Sequence, residues 1–194
     1  MLDIEKSFEL LKGLSIARHI LVLENSELEI IKDKISELGF PLWIKINTGE
    51  HKLSLGGVKK CGSYEELLLV FNEFKKKFID SSFIIQEDVK GVEVILGIKT
   101  DKTFGKVLVF GAGGSYTELV KDIEFRVYPL DKGEIEDMIK QLKIYKILEK
   151  KKCNISKLVD LIYKFSQLSI IEADLNPVVV NEKDAVVVDA RIEV

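Results

Sequence analysis

The sequence predicts an α+β protein. Helical and strand-like stretches alternate irregularly instead of as repeated βα units, and three strand-like runs between Phe83 and Phe110 are joined by links too short for a parallel crossover. The chain also closes on a hairpin, in which Ile170–Val180 and Ala185–Ile192 flank an Asn-Glu-Lys-Asp turn.

From the N-terminus, Met1–Leu14 mixes apolar residues with Asp3, Glu5, Lys6 and Glu9 at helical spacing, unlike the uninterrupted apolar core of a signal peptide. Leu28, Ile31, Ile35 and Leu38 recur at helical intervals, predicting a helix over 26–38 with Ser26 as its N-cap and Gly39 as its stop. Phe40–Ile46 reads as a buried strand, Asn47 to Gly49 as a turn, and Lys52–Val58 as a second strand or a loop leading into one. Ser63 followed by Glu65 and Glu66 is a cap with an acidic first turn, and Leu67, Val70, Phe71, Phe74 and Phe78 supply the apolar stripe of the next helix. Strands are predicted over Phe83–Gln86, Val92–Lys99, Lys106–Phe110 and Ile123–Tyr128, with a glycine-rich loop at Gly111–Ser115; helices are predicted over Lys132–Leu142 and Ile155–Leu168.

Composition narrows the function classes. The 194 residues are 46% hydrophobic and 31% charged, enough for one compact unit or two small lobes. With a net charge of -3 and lysines interleaved with acids, no basic face for nucleic acid is expected. No apolar run is long enough to span a bilayer, so no membrane partner is expected. Cys61 and Cys153 lie far apart without a CxxC pattern, which favours a reducing, cytoplasmic setting over a disulfide framework or zinc site.

Four segments carry chemistry. In Glu172-Ala-Asp-Leu-Asn-Pro177, strand alternation puts Glu172, Asp174 and Asn176 on one face, and Asp189 on the returning strand can share it. Such oxygen donors supply a partial shell for Mg²⁺, which prefers one or two carboxylates with waters and phosphates; the same pattern also describes a polar, solvated sheet edge. Lys45 interrupts the apolar strand Phe40–Ile46 and suits a phosphate oxygen, or else lies on an exposed strand face. Gly56 and Gly57 allow backbone N–H groups to approach a phosphate, Lys52 and Ser54 can add donors, and His51 beside them is a nucleophile able to accept a phosphoryl group; paired glycines are equally common as plain turns. His19, at the edge of an apolar run, reads as structural. The fourth segment is Gly111-Ala-Gly-Gly-Ser-Tyr-Thr-Glu118, with Lys121, Asp122 and Arg126 downstream. Only three of the 29 basic residues are arginines (Arg18, Arg126 and Arg191), which suggests tasks for the planar guanidinium, although surface placement is open.

Taken in order, these segments resemble the β subunit of ADP-forming acetyl-CoA synthetase and the matching part of fused acyl-CoA synthetases. The marks are Gly39-Phe-Pro-Leu-Trp-Ile-Lys45, His51-Lys-x-x-x-Gly-Gly-Val58, Ile85-Gln-Glu87 with Gly91-Val-Glu-Val-Ile-Leu-Gly97, Phe110-Gly-Ala-Gly-Gly114, Thr117-Glu-Leu-Val-Lys-Asp122, and Asp174-Leu-Asn-Pro177 with Asp189-Ala-Arg-Ile192. The resemblance runs from about Leu10 to the C-terminus and implies an ATP-grasp fold, two α+β lobes with the nucleotide cleft between them, here drawn as 1–88 and 89–194.

On that resemblance Lys45 contacts the α- and β-phosphates of ATP or ADP, with the Gly56-Gly57 loop beside them. Glu87, Asp88 and Val89 form the hinge whose backbone reads adenine, Glu93 reaches the ribose, and Asn176 and Asp189 hold Mg²⁺. His51 handles the phosphoryl group together with a phosphohistidine segment on a separate CoA-binding α subunit, in the reaction acyl-CoA + ADP + phosphate → acid + CoA + ATP. A hetero-oligomer is implied. Three features depart from the family pattern: the stretch before His51 is short, Ser54 stands where an aspartate is usual, and the link from Glu87 to Glu93 is one residue shorter. Ser54 and the shortened loop raise a second reading, an ATP-binding regulatory module of the same fold without phosphoryl transfer; a third is a carboxylate ligase of the wider ATP-grasp group acting alone.

Overall fold

The computed structural model describes residues 1–50, 52, 54–114 and 122–193. The chain divides into two compact units: Leu2–Lys6 with Ala17–Asp88, and Met1 with Ser7–Ile16 and Val89–Val194. A division drawn at 88/89 places Ser7–Ile16 in the first lobe, whereas here those residues pack with the second unit. Ser15 Oγ donates to Asp184 at 2.6 Å, the Val187 N–H donates to the Ser15 carbonyl at 2.8 Å, and Ile16 bridges Val187.

The first unit carries an antiparallel sheet ordered β1-β4-β2-β3, made of β1 (His19–Val22), β2 (Leu42–Ile46), β3 (Val58–Cys61) and β4 (Phe83–Glu87). One face is apolar: Leu42, Ile44, Ile46, Phe83 and Ile85 bury against α2 (Lys32–Leu38) and α3 (Tyr64–Lys77), which contributes Leu67, Val70, Phe71 and Phe74. Phe71 meets Phe83 edge to face, centroids 5.6 Å apart. Ser63 caps α3 as its sequence predicts, its side chain accepting from the Glu66 N–H. The helix predicted over 26–38 is shorter. Ser26 is not its cap: the Ser26 N–H closes a turn onto Leu23, and the chain enters through a 3₁₀ turn (Leu28–Ile31) that buries Leu28 before α2 begins. Gly39, at φ 80°, ends it as expected.

The second unit's sheet is ordered β10-β8-β5-β6-β7, with β9 also on β8. Its strands are β5 (Val92–Asp101), β6 (Gly105–Ala112), β7 (Ile123–Val127), β8 (Glu172–Val180), β9 (Ala185–Val187) and β10 (Ala190–Glu193). Helices α4 (Lys132–Gln141) and α6 (Ile155–Ser166) pack together behind it, burying Ile135, Met138, Leu158, Ile162 and Phe165 with Leu96, Ile98 and Phe110. All pairings between named strands are antiparallel. The return strand predicted over Ala185–Ile192 breaks at Val188 and Asp189, opposite Pro177, which has no N–H for the ladder. A further helix, α5 (Ile144–Lys150), is absent from the sequence reading. Its N-terminus is capped from afar: Asp122 accepts from the Lys143 and Ile144 N–H groups at 2.9 and 2.7 Å.

Candidate functional site

In the first unit the functional side chains occupy the sheet face opposite the apolar core. Alternation along β2 sends Leu42, Ile44 and Ile46 into the core and therefore Trp43 and Lys45 to the other side. Trp43 lies opposite Gln86 on β4 and Lys60 on β3, and Lys45 is diagonal to Gln86. Lys45 is buried, 6% exposed, and its ammonium donates to Gln86 Oε1 at 2.6 Å. An ammonium in such a place needs oxygen partners, and its burial removes the exposed-strand alternative.

Asp88, at the end of this unit, accepts from Trp43 Nε1 and from Lys60 Nζ, each at 2.8 Å, while the Lys60 ammonium lies 5.4 Å from the Trp43 ring centroid. Glu87 is gripped by Arg18: the Arg18 N–H donates to Oε1 and its Nε to Oε2, both at 2.8 Å, and the remaining guanidinium nitrogens donate to the Glu37 and Leu38 carbonyls. Both carboxylates thus hold fixed the backbone that leads into Val89. Arg18, left without a task by the sequence, has this one. Its clue was only the scarcity of arginine.

His51 lies outside the described residues. Gly56 adopts φ +62°, a conformation glycine takes without strain. The Gly57 N–H donates to the Lys52 carbonyl at 2.8 Å, and a Cβ on Gly57 would stand 2.5 Å from Ile46 Cγ2, so Gly57 lets the loop lie on β2. His19 Nδ1 donates to the Ala17 carbonyl at 2.9 Å and its Nε2 faces Glu5 Oε2 at 3.3 Å, an arrangement that joins α1 (Ile4–Leu10) to β1.

In the second unit, β8 and the broken return strand bring Asn176 and Asp189 side by side: the Asn176 N–H donates to the Asp189 carbonyl at 3.2 Å, and Asp189 Oδ1 accepts from the Ala190 N–H at 2.9 Å. The Val188 N–H donates to Pro177 O at 3.1 Å on the other side of the break. An amide and a carboxylate on adjacent backbone are oxygen donors of the kind Mg²⁺ takes, so these residues fit that ion. Asp174 pairs instead with Arg191, its direct cross-strand neighbour. Among the described residues no group of three or more His, Cys, Asp and Glu side chains is arranged to hold a metal.

Glu93 lies at the exposed face of β5, against Gly113 and Gly114. The Gly113 N–H donates to the Glu93 carbonyl at 3.0 Å, and a Cβ on Gly114 would meet the Glu93 carboxylate. The motif residues Thr117, Glu118 and Lys121 fall outside the described residues. Arg126 is occupied structurally, donating to Glu124 at 2.9 Å and to Gln141 at 2.6 Å. Both cysteines are free and buried, and burial pushes the Cys61 thiol up to about 11 and raises that of Cys153, so neither is a thiolate nucleophile near neutral pH.

Two antiparallel sheets backed by helices, one with a buried lysine and the other pairing an amide with a carboxylate, define an α+β protein. The chain belongs to the ATP-grasp family: the model of the ATP-grasp domain matches residues 2–194. It is 40% identical over 169 residues to acetate–CoA ligase (ADP-forming) II of Archaeoglobus fulgidus, a match covering 81% of this chain and 25% of that protein. It is 34% identical over 178 residues to acetate–CoA ligase (ADP-forming) I subunit beta of Pyrococcus furiosus, covering 80% of this chain and 76% of that one. Among solved structures it is similar to dinucleotide-forming acetyl-coenzyme A synthetase 1 of Ca. Korarchaeum cryptofilum, in complex with coenzyme A and Mg-AMPPCP and with its phosphohistidine segment pointing towards the nucleotide-binding site. That similarity has a TM-score of 0.79 and 31% identity, over 97% of this chain and 90% of that chain. The chain therefore spans about a quarter of the Archaeoglobus relative. Among the described residues no helix is long and apolar enough to cross a membrane.

Proposed function

We propose that this chain is the nucleotide-binding part of an ADP-forming acyl-CoA synthetase, working as a β subunit with a CoA-binding α partner. The observation that supports this reading best is the match to the Pyrococcus subunit beta, which covers most of both chains. In the proposed assignment Lys45 neutralises the α- and β-phosphates of ADP, with Gly56 and Gly57 at the adjoining loop. The backbone of Glu87, Asp88 and Val89 reads adenine, held by Arg18, Trp43 and Lys60, and Glu93 meets the ribose. Asn176 and Asp189 hold Mg²⁺, which supplies charge neutralisation at the phosphates when bound. His51 passes the phosphoryl group: the P–N bond of its phosphohistidine breaks and a P–O bond to the β-phosphate oxygen of ADP forms, while the ring nitrogen keeps the bonding pair and takes up a proton from solvent, leaving ATP and a neutral imidazole. Positioning and electrostatics carry most of the rate, as is usual for phosphoryl transfer.

The test is reconstitution. Mixed with its cognate α partner, Mg²⁺, ADP, phosphate and a panel of acyl-CoAs, the chain is expected to make ATP, and His51→Ala to bind ADP as before but make none. Nucleotide binding without ATP formation from any acyl-CoA would assign the chain to the regulatory reading instead, and ATP formation without a partner to the stand-alone ligase.

A further inference from the structure

We infer that Gln86 is a positioning residue, whose neutral carboxamide aims the Lys45 ammonium at the nucleotide phosphates; this deepens the reading above and rests on Lys45 being a phosphate contact. Gln86 is the polar interruption of the strand Phe83-Ile-Ile-Gln-Glu87 and is fully buried, 0% exposed. Its orientation is set by Lys45, because an ammonium only donates: the 2.6 Å contact must be made to the carbonyl oxygen Oε1. Nε2 is then left buried with no acceptor among the described residues. Leaving such a donor unmet is destabilising, a cost that leucine or methionine at this position would not incur.

The neighbouring lysine shows what the alternative looks like. Lys60, on the same sheet face, is matched by a carboxylate, Asp88 Oδ2 at 2.8 Å, and is anchored over Trp43. That pair holds backbone in place and is closed by opposite charges. A carboxylate at position 86 would set a permanent negative charge against the Lys45 ammonium, with which an incoming phosphate would have to compete. The carboxamide fixes the direction of the ammonium and adds no charge of its own. Lysine, with four rotatable bonds and a point charge, needs such a guide more than arginine does.

The test uses the full chain, with Mg-ADP and adenosine as probes and calorimetry or NMR titration as the readout. Gln86→Glu is expected to weaken ADP at least about tenfold, since a new unit charge a few ångströms from the phosphates acts through poorly screened surroundings, and to leave adenosine within twofold. Gln86→Met, close in volume, is expected to weaken ADP less while also sparing adenosine, and it carries the test if the glutamate variant fails to fold. ADP binding unchanged in the folded variants, or ADP and adenosine weakened equally, overturns the inference, the second outcome being that of a merely structural residue. Lys45→Met separates the two levels. If it binds ADP like the parent, the assignment of Lys45 itself falls; if it loses ADP while Gln86→Glu does not, only the role of Gln86 falls.

Discussion

The two sheets place polar side chains in opposite ways. In the first unit they bond to one another, Lys45 to Gln86 and Trp43 and Lys60 to Asp88, with Lys45 and Gln86 buried and the other three half-buried, on strands whose ladders are continuous. In the second unit Glu93, Asn176 and Asp189 are exposed or half-buried, at a glycine contact and a strand break. Under the proposed roles, the contrast follows from the charge each would handle. A lysine must be aimed by partners because its stem is flexible, whereas carboxylates and amides serving a hydrated ion need only adjacent backbone and access to water.

If the difference lies in the faces and not in the cores, both sheets should be equally intolerant of a hole behind the site. Phe83→Ala and Phe110→Ala, each removing a fully buried ring, are expected to cost about 3–5 kcal/mol in urea unfolding; a cost below 1 kcal/mol for either would show that its sheet is not the scaffold described. Gly57→Ala sharpens the comparison, since it presses the histidine loop of the first unit against Ile46. A loss of about 1–3 kcal/mol is expected, with partial recovery in the double variant Gly57→Ala/Ile46→Ala, while Gly13→Ala in the second unit, with open space around it, should cost far less. The smallest effect is expected at Asp131, which forms a capping box with Glu134 at the start of α4 behind the second sheet. Asp131→Ala should lower stability by about 1 kcal/mol and leave ADP affinity unchanged. A changed affinity would mean that this helix reaches the site.

The α+β ATP-grasp fold was legible because the chain follows local rules over most of its length. Ser63 and Glu66 mark a helix start that the structure keeps, and the short link between β5 and β6 makes them an antiparallel pair, whereas β4, equally close in sequence, belongs to the other sheet. Where the reading failed, a distant residue or a missing N–H was decisive. The α5 helix begins at Ile144 because Asp122, remote in sequence, supplies its cap, which no local pattern announces. The return strand is broken by Pro177 on the facing strand and not by its own residues. Ser26 carries the right side chain for a cap, but burial of Leu28 draws the chain into a 3₁₀ turn first. Within the candidate site, Lys45 was visible as a charge in an apolar strand. Gln86 is the same kind of polar interruption one strand away, a weaker signal because an uncharged amide costs less to bury than an ammonium.

The break opposite Pro177 has a practical consequence for testing the proposed Mg²⁺ ligands. Asn176 and Asp189 are brought together by main-chain hydrogen bonds, Asn176 N–H to Asp189 and Val188 N–H to Pro177, and not by their own side-chain atoms. Asp189 Oδ1 also accepts from the Ala190 N–H, so trimming Asn176 to alanine is the change that leaves its neighbour where it was. A change in magnesium dependence in such a variant reports the lost donor atom alone, free of any rearrangement of the strand that carried it.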